Sequence, residues 1–177
     1  HTLVVADAYS AHQPIEGESS LKYHLTDIYL LEDEYSVSDW ELATAMQTGS
    51  YGLTDYDFKK PKSDLSVTRI IEREYSYSDQ EIFDFPGKYV ESVDGDQYAL
   101  NRLEELQSNY EVVAAVSDAR SMIVGGLFSL EEHPRADQNR EYLVTACHYK
   151  LTAEQYVSGG VGTGGSEPFF CQIQGID

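Results

Sequence analysis

The chain has 177 residues, with 31 Asp and Glu against 12 Lys and Arg and a formal net charge of −19. That length suits one domain, or one with a small appendage, and the acid excess would repel nucleic-acid phosphates. No apolar run approaches the ~18 residues of a membrane-spanning helix, no signal peptide is visible, and Cys147 and Cys171 form neither a disulfide framework nor a metal-ligand spacing.

Fourteen tyrosines and one tryptophan tilt the composition towards strands and half-wet surfaces. Residues 3–6 (LVVA) predict a short strand ended by Asp7, and residues 21–25 a second, with Leu21, Tyr23 and Leu25 on one side. Residues 29–34 are acidic and irregular. Residues 37–46 alternate, with Trp40, Leu42, Thr44 and Met46 facing one way and Glu41, Ala43 and Ala45 the other; Gly49 and Gly52 then punctuate. Residues 55–65 (DYDFKKPKSDL) read as a connection in which Pro61 pushes Lys60 out of the α region. The plainer role for Tyr56 and Phe58 is to pack this loop onto a barrel. The other reading has Lys59, Lys60 and Lys62, the only basic cluster, touching an acidic neighbouring subunit.

Residues 66–77 make the longest strand candidate, with Val67, Arg69, Ile71, Arg73, Tyr75 and Tyr77 on one face. Residues 81–85 give a brief strand ended by Pro86-Gly87. One helix is expected at about 96–109, capped by Asp94 or Asp96. Ala99, Leu103, Leu106 and Tyr110 form its apolar stripe, Leu100 widens it, and Arg102, Glu104, Glu105 and Gln107 face solvent. Residues 112–116 form the next strand.

The stretch from Gly125 to Tyr149 organises the rest. Leu127, Phe128 and Leu130 lie on one strand and residues 142–147 on the next. The polar connection 131–141 is too long for a tight hairpin and is expected to project from the sheet. Tyr142, Val144, Ala146 and His148 share one face of the second strand, and Leu143, Thr145, Cys147 and Tyr149 the other. Apolar groups on both faces place it in the middle of a barrel or sandwich. Residues 158–166 (SGGVGTGGS) are linker-like, and residues 169–173 offer a last strand with Phe169, Cys171 and Ile173 on one face.

The residues alone point to no reaction centre: no catalytic, cofactor-binding or metal-ligating residue is assigned. Residues 131–137 (EEHPRAD) hold Glu, His, Arg and Asp within seven positions, which turn chemistry and local ion pairing also explain. Cys147 and His148 point to opposite faces of a strand, wrong for a thiolate–imidazole pair. The Gly-rich run at 159–165 lacks the Lys-Ser/Thr of a phosphate loop. His1, His12, His24, His133 and His148 have no metal-type spacing.

Four blocks in order carry a family resemblance: "HTLVVADAYSAHQPI", "LTDYDFKKPKSDL", "IFDFPGKY" and "HPRADQNREYLVT". Together they resemble the VgrG spike proteins of type VI secretion, in the segment related to the baseplate hub protein of contractile phage tails. The resemblance implies a mainly β fold, an antiparallel, tube-like β-barrel with one amphipathic helix packed on it. It implies a lobe or remnant of a preceding subdomain at 1–36, the barrel at 37–157, and a linker with a last strand at 158–177. It further implies a structural, non-enzymatic role without cofactors: a homotrimer in full-length form, meeting the Hcp tube and effector or tip proteins, held in the bacterial cytoplasm before firing and then secreted. The family's first barrel, its OB-fold and its needle fall outside these residues, so a fragment, monomeric by itself, is expected. Two alternatives stay open. One is the hub of a phage tail or phage-derived particle; the other, motivated by the tyrosines and surplus carboxylates, is a carbohydrate-binding or glycan-hydrolysing β domain.

Overall fold

A computed structural model describes residues 3–6, 8–24, 35–151 and 169–177. The order of elements is β1 (Gln13–Pro14), β2 (Ser20–Tyr23), β3 (Ser36–Thr44), β4 (Ser50–Leu53), β5 (Val67–Ile70), β6 (Glu81–Asp84), α1 (Ser92–Gln107), β7 (Glu111–Ser117), β8 (Gly126–Glu131), β9 (Glu141–Leu151) and β10 (Phe169–Ile176). They form two compact units: His1–Ala43 with Val112–Asp177, and Thr44–Glu111.

The first unit is a closed barrel. Its strands run β8-β2-β3-β7-β10-β9, and β9 pairs back onto β8 to close six strands into a ring, with β1 extending the edge of β8 that β2 occupies. β2, from the expected 1–36 lobe, is therefore a stave of the barrel. The barrel is mixed where a purely antiparallel one was expected: β2 is parallel to both β8 and β3, while β8–β9, β9–β10 and β7–β10 are antiparallel. Alternation identifies a strand but carries no information about its direction.

Two irregularities set which side chains fill the interior. Asp39 has φ 49°, and this kink in β3 lets Val37 and Trp40, an odd number of residues apart, both face the core. On β9, Gln174 pairs with Ala146 but Gly175 with Val144, leaving Thr145 as an extra residue. The expected single face of β9 breaks there: Tyr142 and Val144 are buried, Ala146 and His148 are exposed, and Cys147 turns towards the core instead. Phe128, Leu130, Val113, Ala115 and Ile173 complete a filled interior, as expected of a barrel this small.

In the second unit β4 lies between antiparallel β5 and parallel β6, and α1 packs on β5 and β4. The helix expected on the barrel sheet thus belongs to this small sheet. Tyr51, Leu53, Leu65, Tyr89, Ala99 and Leu103 form its core. α1 begins at Ser92 after Glu91 and has no side-chain cap, so neither Asp94 nor Asp96 caps it; Asp96 instead pairs with Arg69 at 3.0 Å. Gly52, read as punctuation, sits inside β4, where a Cβ would come within 3.0 Å of the Phe83 ring.

The long strand expected at 66–77 stops at Ile70. Gln107, assigned to solvent by helical periodicity, is buried and terminates the ladder. Its Nε2 donates to the Ile71 carbonyl at 3.0 Å and the Thr48 carbonyl at 3.2 Å, while its Oε1 accepts from Arg73 Nε at 3.0 Å. Residues 3–6 form no strand either: Leu3, Val4 and Val5 are 82–87% exposed. The expectations for Leu25, 29–34 and 158–166 lie outside the described residues.

Candidate functional site

The EEHPRAD turn is the stretch with most chemistry in least space, and its groups are committed to holding its shape. Asn139 Oδ1 accepts from His133 N at 2.7 Å and its Nδ2 donates to His133 O at 2.9 Å, while Arg135 N donates to His133 Nδ1 at 3.1 Å. Arg135 and Asp137 form an exposed pair at 2.7 Å, and the hydrogen bond from Arg135, then that from Gln138, holds the Asp137 carboxyl down at about 2. The turn does not stand clear of the sheet. Gln138 is 1% exposed, and its Oε1 accepts from Trp40 Nε1 at 3.1 Å. The His133 ring meets Tyr23 edge-on at 4.5 Å. Sequence reading missed Gln138 because nothing around it separates a buried glutamine from a loop one.

The barrel unit also carries an open depression of about 700 Å³ over β3, β7, β9 and β10, bordered by Asp39, Trp40, Glu41, His148, Gln172 and Gln174. Cys147 turns inward and His148 outward, as neighbours on a strand should. Cys171 is fully buried; burial, then the adjacent Cys147 thiol, push its thiol up to about 12, which makes it a poor nucleophile. Tyr149 is 43% exposed, yet local desolvation of its hydroxyl and a hydrogen bond with Cys147 raise it to about 12 as well, and that hydroxyl donates to the Met122 carbonyl at 2.5 Å. Among the described residues no three His, Cys, Asp or Glu side chains gather as metal ligands.

Asp118 is the carboxyl that burial shifts upward, and it serves structure. Asp118 Oδ1 accepts the Ser36 N–H at 2.7 Å and so ties the start of β3 to the segment after β7. Burial raises its pKa, outweighing the lowering by the backbone N–H groups of Ser36 and Asp118. A folded-state value above the unfolded one means the native state holds that proton more tightly. The group's contribution is therefore complete below the unfolded pKa and is lost as pH rises through the folded pKa. Asp118→Asn keeps an acceptor for Ser36 and removes the buried charge. We expect the variant to match or slightly exceed the wild type in denaturant midpoint at pH 7, with the difference shrinking on acidification. A clear loss at pH 7 would show that the ionised form is required.

In the second unit the loop at 54–65 exposes two aromatic rings beside its lysines. Tyr56 and Phe58 are 62% and 77% exposed, so the packing role expected of these rings is overturned. The buried aromatic there is Tyr89, whose hydroxyl lies 3.0 Å from the Leu53 carbonyl oxygen and 2.5 Å from that of Leu65. The pattern held no sign of this clamp, because Tyr89 follows a turn dipeptide.

A family model described as phage tail baseplate hub (GPD) matches residues 1–155. Three Pseudomonas aeruginosa proteins, each named as a type VI secretion system spike protein, are similar to the chain. VgrG1b is 43% identical over 93% of this chain and 22% of its own length. VgrG1a is 41% identical over 93% of this chain and 25% of its own length, and VgrG1c is 40% identical over the whole chain and 24% of its own length. The chain thus spans about a quarter of the curated relatives it matches.

Proposed function

The chain belongs to the phage tail baseplate hub family, and from that premise we propose that it is the hub segment of a type VI secretion spike, a structural base joining the Hcp tube to the spike tip. The observation that carries this is 40–43% identity to proteins named as type VI spikes, over 93–100% of these residues. A barrel with a filled interior and a turn whose polar groups bond one another is consistent with a part that works by being held in place.

In this reading the full-length protein is a homotrimer, it meets Hcp and effector or tip proteins, and it performs no chemistry in this segment. It waits in the bacterial cytoplasm and leaves through the apparatus on firing. The phage-tail hub alternative shares the fold, and the names of the relatives favour the secretion spike. The glycan alternative has no comparable support. The test is the mass of the full-length protein in solution: a trimer supports the reading, and a monomer at micromolar concentration rejects it.

A further inference from the structure

We propose that the loop at 54–65 is a preformed docking knob for the acidic surface of a second copy of this chain. The proposal rests on the homotrimeric hub reading and names a contact within that assembly. Tyr89 closes the base of the loop by bridging the Leu53 and Leu65 carbonyls. Inside it, Asp55 accepts from the backbone N–H groups of Tyr56 (2.6 Å), Tyr89 (3.3 Å) and Lys88. Asp57, buried at 8% exposure, accepts from Lys59 N at 2.8 Å, and Asp64 accepts from Ser66 N at 2.9 Å. Lys60 N donates to the Asp57 carbonyl at 3.1 Å, and Ser63 N to the Lys60 carbonyl at 2.9 Å.

The carboxylates are thus spent on the backbone, while the aromatics and lysines point outward. A loop already ordered loses little entropy when it docks, and an exposed aromatic beside cations is the composition of an interface anchor. Lys59 Nζ lies 5.8 Å from the centre of the Phe58 ring, and Lys60 is paired with Glu91 at 3.4 Å, which leaves Lys59 and Lys62 to face a partner. Charge selects the occupant. Two copies at −19 repel each other over most of their surface, and this is the one lysine cluster either can offer the other's carboxylates. A knob on one copy against a different surface on the next is a heterologous contact, the kind that closes rings.

The experiment places a photo-crosslinker in the full-length protein by Phe58→p-benzoylphenylalanine. Illumination is expected to give a covalent self-adduct, and adding K59E and K62E is expected to cut its yield about tenfold, the change that a loss near 1.4 kcal/mol produces. No self-adduct, an adduct to another protein alone, or a yield unmoved by the charge reversal would each overturn the proposal. A trimer by mass with no self-adduct rejects the knob and leaves the hub reading standing. A monomer by mass rejects both.

Discussion

Tyr142→Ala will destabilise the barrel unit by about 3–5 kcal/mol, the usual cost of removing a large buried aromatic. Tyr142 is 1% exposed and holds together three parts of the barrel. Its ring meets Trp40 of β3 edge-on at 4.9 Å and stacks with Phe128 of β8 at 5.9 Å. Its hydroxyl donates to the Gln138 carbonyl at 3.1 Å and accepts from Arg140 Nε at 3.2 Å. Tyr142→Phe separates the contributions: it keeps the ring contacts and gives up the hydroxyl, for about 1–3 kcal/mol, because Gln138 is left buried with less to bond. Denaturant unfolding followed by Trp40 fluorescence reads both variants. If Tyr142→Ala costs no more than Tyr142→Phe, the aromatic cluster does not hold the barrel and this account of its core is wrong.

Gly95→Ala will destabilise the small unit, against the sign that helix propensity alone gives. Within a helix, Ala is better than Gly by about 1 kcal/mol. Here a Cβ would lie 2.9 Å from Tyr89 Cδ2 and closer still to Cε2 and Cζ. Tyr89 cannot swing aside cheaply, because it is 5% exposed and its hydroxyl is tied to two carbonyls. Overpacking of this kind costs about 1–3 kcal/mol, enough to cancel the propensity gain and reverse it. Gly95→Ala in the Tyr89→Ala background should recover the helix gain, since the clash is gone. Equal effects in both backgrounds would show that the ring does not press on the helix.

What the sequence disclosed and what it hid follow from which interactions are local. The β8–β9 pair, the last strand and the apolar stripe of α1 were legible because period 2 and period 3.6 are written in neighbouring residues. The break at Asp39 was hidden: residues 37–46 read as one unbroken alternation, and only the positive φ of Asp39 brings Val37 and Trp40 to the same side. Strand direction in the barrel was hidden, because it depends on where a connection leads the chain. Gln107, Gln138 and Tyr89 were hidden for a related reason. Each is a polar-tipped side chain with at least one partner 24 to 98 residues away, and periodicity ranks such groups by polarity alone. Tyr56 and Phe58 were misjudged in the opposite direction, since an aromatic in a loop reads as buried until an exposed surface is there to be seen.

Electron cryomicroscopy of the full-length protein, viewed down the axis of the particle, tests the central claim most directly. The account predicts three copies closed into a ring, each barrel flanked by neighbouring chains and the 54–65 loop seated on an adjacent copy. Isolated single copies, or a ring in which that loop points into solvent on all three, would contradict it.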